Sequence, residues 1–377
     1  MQKKLLTAAV AGVLAAPVVA MADVTVYGTI DTGVRSASKV CTAAGGAGCT
    51  ETGSLLSVTD GERTTNRWGL KGSEDLGGGL RANFTLEGQY GSDNGAGPGS
   101  STPGSATNTG NQGLFQRKSI VGLSGGAWSV DLGRDYTVNF KTQGIYDPMS
   151  YTYTGITPTA GNNVAGTRSS NMITAGFRFG TGGIRVDYAM GEVAGDTGSG
   201  QRIGANADFA FGPVTLAAAY STRSDTFAGL DLDQDTYNIG GVYKLGALTF
   251  RAGYSSSEYK QTSGGTQKAD TPMYALGVQY DFTPAVSGRI GYYNMEFNLN
   301  DVKAGSRDWF ILAIDYNLSK TTTLYAAVDV SGIKDSSITV SGATGIITAG
   351  TAGIGATQGS TVQDGSTGIS AGIMHAF

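Results

Sequence analysis

The chain has 377 residues, among them 60 glycines, with 15% charged residues and a formal net charge of −4. Glycine stands at about twice its usual share, and charge falls well below the roughly 25% of soluble domains. The acidic balance gives no basic footprint for nucleic acid, and one histidine beside two cysteines is a poor donor set for a zinc site.

Residues 1–22 read as an export signal. Lys3 and Lys4 precede a small apolar stretch, and Ala20-Met21-Ala22 matches a small-x-small cleavage pattern. Asp23 would be the first mature residue; an uncleaved anchor is the alternative. Removal of the two lysines leaves 24 basic against 30 acidic residues. Beyond residue 22 no apolar run approaches the ~20 residues a membrane helix needs. Cys41 and Cys49 follow an export signal and lie close together, so a small disulfide loop is expected, with a metal pair as the weaker alternative.

Segments of alternating residues then recur. In 23–36, Val24, Val26 and Ile30 share one face, while Thr25, Tyr27, Asp31 and Arg35 share the other. In 66–73, Trp68 and Leu70 oppose Arg67 and Lys71; residues 75–79 form a glycine turn; in 80–90, Ala82, Phe84 and Leu86 oppose Arg81, Asn83, Thr85 and Glu87. Segments 115–123 and 128–134 pair through Gly125-Gly126. The alternation continues through residues 173–190, 203–220, 237–254, 274–292 and 310–330, and ends in 368–377 on Phe377.

Sixteen such strands, with short turns at one end and long loops at the other, predict an all-β fold: a sixteen-stranded antiparallel transmembrane β-barrel, with residues 23–377 as one domain. Lipid demands closure, because an open edge would leave peptide groups unbonded. Tyr188, Tyr220, Tyr254 and Tyr292 fall near the loop-side strand ends; Phe211, Tyr280, Phe282, Tyr316 and Phe377 fall near the turn side. Both sets fit aromatic girdles. A soluble β-sandwich or solenoid must explain arginines and aspartates on the second face of nearly every strand.

Four motifs in order resemble the general porins of β-proteobacteria and Neisseria. They are residues 24–33 (Val-Thr-Val-Tyr-Gly-Thr-Ile-Asp-Thr-Gly), 67–80 (Arg-Trp-Gly-Leu-Lys-Gly-Ser-Glu-Asp-Leu-Gly-Gly-Gly-Leu), 121–126 with 132–136, and the ending His375-Ala376-Phe377. The resemblance implies a Gram-negative outer-membrane homotrimer with a water-filled pore in each barrel, open to ions and small hydrophilic solutes. It implies that a third loop, here about 136–167, folds inward and narrows the channel. It also implies that Phe377 is an assembly signal for the insertion machinery.

No enzyme activity and no cofactor are expected; size and field do the work of a pore. By motif position Arg67, Arg117 and Arg134 match the wall arginines of the family. Arg67 has inward parity, Arg117 is inward if Ile120 faces lipid, and Arg134 needs a bulge to turn inward. Arg35, Lys71 and Arg81 share inward parity. Asp147 is the only acid between Tyr136 and Thr167. This balance predicts weak selectivity with an anion preference at the constriction, against a cation lean at the mouth from net charge. Asp231, Asp233 and Asp235 begin like a calcium loop but lack its glycine and glutamate, so an acidic external loop is expected. A substrate-selective channel is the alternative function; a saccharide track would use inward aromatics, of which only Tyr27, Tyr293, Trp309 and Tyr325 stand out.

Overall fold

The computed structural model describes residues 23–41, 52–97, 113–153, 166–227, 230–261, 267–334, 338–340, 347–349 and 365–377. The signal segment, Cys49, the side chain of Cys41 and most of 342–359 lie outside the described residues.

Strand β1 (Asp23–Cys41) pairs antiparallel with two segments in turn. Its far half pairs with β2 (Thr52–Asp60), and Asp23 to Thr29 pair with β3 (Arg67–Gly77). β2 and β3 are therefore halves of one stave, broken at residues 61–66. Antiparallel neighbours follow in chain order: β4 (Leu80–Gln89), β5 (Lys118–Gly125), β6 (Trp128–Tyr136), β7 (Arg168–Phe179), β8 (Gly182–Ala189) and β9 (Arg202–Phe211). Then come β10 (Val214–Phe227), β11 (Leu230–Leu245) and β12 (Leu248–Gln261).

β13 (Gln267–Asp270) and β14 (Met273–Asp281) both lie between β12 and β15 (Val286–Leu299), again as one interrupted stave. The gap holds Pro272, which has no N–H to give the ladder. β16 (Val302–Asn317) and β17 (Thr322–Lys334) follow, then a separate hairpin of β18 (Ile338–Val340) and β19 (Ile347–Ala349). β20 (Ser366–Ala376) pairs with β17 on one side and β1 on the other. Among the described residues, eighteen segments form one sheet; with two staves each counted once, the closed barrel has sixteen.

The seam is bonded to the last residue. Phe377 N–H donates to Gly28 O (3.1 Å), and Gly28 N–H donates back to Phe377 O (3.0 Å). At the short-turn end, Gly126, Gly180, Gly212 and Gly246 take positive φ between 53° and 57°, as tight hairpins require. The other end is less uniform than the sequence suggested. Asn300 and Asp301, both at positive φ, close β15 onto β16 in a two-residue turn, since Asn and Asp tolerate that region.

The faces are inverted relative to a soluble protein. Ile239 is 60% exposed, while its neighbour Asn238 is 4% exposed. Leu276 is likewise exposed and Ala275 buried. An apolar exterior over a polar interior suits hydrocarbon outside and water inside. Aromatics gather at both rims of that exterior: Tyr237, Tyr254 and Tyr274 touch in sequence at the loop side, with ring centroids 6.1 and 4.9 Å apart, and Tyr280 meets Phe282 edge-on at the turn side.

Candidate functional site

After β6 the chain turns into the barrel as helix α1 (Val138–Tyr146). Thr137 caps it, accepting from Phe140 N–H. Asp187 of β8 also serves the helix start, accepting from Val138 N–H at 2.8 Å, where a carboxylate complements the helix dipole. Arg202 ties Asp187 (2.5 Å) to the Asn139 amide (2.7 Å), and Asn139 and Asn238 exchange hydrogen bonds across to β11.

The loop presses against wall positions that have no side chain. Val138 lies over Gly204, Tyr146 over Gly240 and Gly253, Pro148 over Gly277, and Met149 over Gly291; a Cβ at any of the five would stand less than 3.0 Å from the loop residue. All five glycines point inward, so they form a track along β9, β11, β12, β14 and β15. Beyond the helix, Met149 and Tyr153 pack among Tyr293, Trp309, Ile311 and Tyr325. Three of the four inward aromatics noted in the sequence are thus part of a core around the loop. The fourth, Tyr27, donates to Glu87 (3.0 Å).

The tip is held in an unusual backbone. Ser150, Tyr151 and Tyr153 all have positive φ, which costs roughly 1–2 kcal/mol per residue. Tyr153 OH donates to Asp315 (2.8 Å), and Arg289 reaches Thr152 (3.0 Å). Tyr151 OH donates to Phe140 O (2.6 Å). Burial, ahead of the nearby Asp147 carboxylate, pushes the Tyr151 phenol well up.

Asp147, the sequence candidate for an acid facing the wall arginines, is fully buried. It accepts from Tyr293 OH (3.0 Å) and Tyr151 N–H (2.8 Å). It anchors the loop instead of facing the lumen.

A basic cluster stands where the loop leaves the wall. Arg117 donates to Glu87 (2.7 Å), Gln89 (3.3 Å) and Tyr136 OH (2.9 Å). Arg168 lies over the Tyr136 ring at 4.3 Å and donates to its hydroxyl. Arg67 is 3.9 Å from Glu87, and Lys118 and Lys141 both hold Asp135. Asp131 stands beside Asp135 and faces the same two lysines, so five cations surround three carboxylates.

The remaining sequence candidates scatter. Arg35 is consumed by Glu62 (2.8 Å) and Asp329 (2.6 Å). Lys71 lies over Tyr27 at 5.2 Å, and Arg81 pairs loosely with Asp75 at the short-turn rim. Two expectations need correction. Ile120 pairs with Thr85 and Gly133 on the inward face, while Val121 and Leu123 face out; Arg117 enters because it precedes β5 and is free of its alternation. Arg134 keeps the outward parity of Leu132 opposite Ser119. Asp135 follows Asp131 and Gly133 onto the inward face by plain alternation, the register shift having its extra residue on β7, while Arg134 bonds Gln116 O and Ser170. Asp231, Asp233 and Asp235 alternate within β11, opposite Thr226, Ser224 and Thr222, so they form no ligand-wrapping loop.

Sequence reasoning misses Arg168, Lys118, Lys141, Arg63 and Arg289. Arg289 and Lys118 carry a parity signal. Arg168 and Lys141 flank or occupy the loop, and Arg63 sits in the stave break, where alternation says nothing.

The Gram-negative porin family model matches residues 6–336. The chain is 32% identical to outer membrane porin protein 32 of Delftia acidovorans over the whole of both chains. It is 26% identical to the major outer membrane protein P.IB of Neisseria gonorrhoeae, covering 88% of this chain and 95% of that protein. Among solved structures, the anion-selective porin from Comamonas acidovorans superposes with a TM-score of 0.71 at 25% identity, covering 94% of this chain and all of that one. A closed barrel with lipid-facing apolar strands, an inner loop and charged inner walls is a diffusion channel of the outer membrane, and the chain belongs to the Gram-negative porin family.

Proposed function

We propose that the channel is weakly anion-selective, with its narrowest part between the inner loop and the wall carrying Arg67, Arg117 and Arg168. The carrying observation is the charge balance: five cations against three carboxylates, Glu87, Asp131 and Asp135, with Asp147 buried among the loop's own anchors. A fixed cationic wall raises local anion concentration without binding any anion tightly. Similarity to the Comamonas acidovorans porin, itself anion-selective, supports the same sign.

The assembled unit is a homotrimer, and maturation removes residues 1–22; both readings rest on the resemblance and the signal pattern. Light scattering of the detergent-solubilised protein and N-terminal sequencing test them. The selectivity is tested by the reversal potential across a planar bilayer in a potassium chloride gradient. Chloride preference that falls in Arg117→Gln and Arg168→Gln is expected. Cation preference in the unaltered protein, lost in Asp147→Asn, would overturn the proposal.

A further inference from the structure

Four planar groups stack in line from the wall into the inner loop. Tyr136 ends β6 directly opposite Arg168 of β7. The Arg168 guanidinium lies over the Tyr136 ring at 4.3 Å. Phe140, in the first turn of α1, stacks against Tyr136 in turn, with centroids 4.8 Å apart and planes 16° from parallel. Tyr151 of the loop tip stacks on Phe140 at 4.4 Å and donates its hydroxyl to Phe140 O. A cation on a ring face and offset ring pairs are each attractive, so the line holds together from its charged end to the tip.

The Tyr136 hydroxyl accepts from Arg117 Nη2 (2.9 Å) and from Arg168 Nη2 (2.8 Å). One neutral oxygen therefore joins two like charges. The two arginines depend on it unequally. Arg117 also donates to Glu87 and Gln89, so it keeps its place without Tyr136. Among the described residues the Tyr136 hydroxyl is the one hydrogen-bond partner of the Arg168 side chain, whose Nε is buried without a partner. A long side chain tethered by one ring and one hydroxyl has nothing else to select its rotamer.

We propose that Tyr136 is a positioning residue for selectivity: it fixes the Arg168 charge on the channel wall and, through Phe140 and Tyr151, ties that charge to the seating of the inner loop. Without the hydroxyl, Arg168 swings among rotamers and its charge spreads along the lumen. Without the ring, the tip also loses its link to the wall. This rests on the reading of the chain as an anion-leaning channel.

The test is the reversal potential across a planar bilayer, read at several potassium chloride concentrations with the gradient ratio held constant. Tyr136→Phe keeps the stack and loses the hydroxyl; it lowers the chloride-to-potassium permeability ratio about 1.5-fold or more at low salt. The gap to the unaltered channel closes as salt rises and screens fixed charge, whereas a change of pore shape persists at every concentration. Arg168→Gln gives a similar fall. Tyr136→Phe adds little in the Arg168→Gln background, because both act through one charge. Tyr136→Leu lowers the ratio at least as far and adds open-channel current noise. Heat-modifiable gel mobility shows that each variant is folded. An unchanged ratio in Tyr136→Phe, a change equal at all salt concentrations, or additive falls in the double variant overturns the positioning role while leaving the channel reading intact. A quiet current in Tyr136→Leu overturns the tie to the loop. Absence of chloride preference in the unaltered protein overturns the channel reading instead.

Discussion

The backbone N–H of Tyr153 donates to the carbonyl of Arg63 at 2.5 Å. The inner loop, which enters the barrel after β6 and passes Asp187 of β8, therefore touches the break in the second stave. The same Arg63 bonds Asp315, which also receives Tyr153 and Arg289. One carboxylate thus gathers the loop tip, the stave break and the far wall.

Asp315→Asn is expected to loosen the tip more than Arg63→Gln, because three partners lose a charged acceptor at once. Removing one member of a buried pair costs roughly 3–5 kcal/mol. The measurements are open-channel current noise and the temperature at which gel mobility shifts. Equal behaviour of the two variants would show that Asp315 is not the hub.

The glycine track makes a steric prediction. Gly253→Leu should drive Tyr146 off the wall and change single-channel conductance, with an overpacking cost of about 1–3 kcal/mol. Tyr146→Ala in the same chain should restore the conductance in large part. A double variant no better than Gly253→Leu alone would place the disturbance in the strand instead of the loop.

Glu87 is the carboxylate that Arg67, Arg117 and Tyr27 share. Glu87→Gln is therefore expected to shift the reversal potential further toward chloride, whereas Asp147→Asn leaves it where it was and lowers the loop's stability. Reversal-potential measurements on both variants under one salt gradient check the pair of outcomes.

At the seam, Phe377 lays its ring against Gly28, where a Cβ would collide with it and with Arg67 O. Phe377→Ala keeps the backbone bonds and removes the ring. It should lower the amount of assembled barrel in the outer membrane severalfold, with conductance of the survivors nearly unchanged. Normal assembly with altered conductance would contradict an assembly role.

The staves were legible because lipid imposes period two on one face and water on the other, as in Val24, Val26 and Ile30. The stave break was not. Residues 60–65, Asp-Gly-Glu-Arg-Thr-Thr, lie outside the alternating segments, the second of which begins at Asn66. What holds them inside the stave is distant: the Asn66 side chain bonds both backbone groups of Asp31, and Thr64 N–H donates to the Asp31 carboxylate. The burial of Asp147 was equally hidden, since its partner Tyr293 lies on β15, far along the chain. The inward glycines Gly240, Gly253, Gly277 and Gly291 were visible as alternation without a side chain. Their meaning required knowing what lies against them. Arg251 and Arg289 had inward parity opposite Phe250 and Ile290, a signal the alternation offered and that motif matching passed over.

The closure of β1 on β20 has a kinetic consequence. Thr29 pairs with Ala376, so this ladder joins the first and last strands of the sheet, far apart along the chain. The entropy of closing so large a ring grows only as the logarithm of its length, yet every intermediate before it carries two raw edges. Non-local pairing of this kind is slow, and an open sheet cannot rest in hydrocarbon. Until that seam pairs, both edges are open to mispairing, so the rate of closure bears on assembly separately from the stability of the finished barrel.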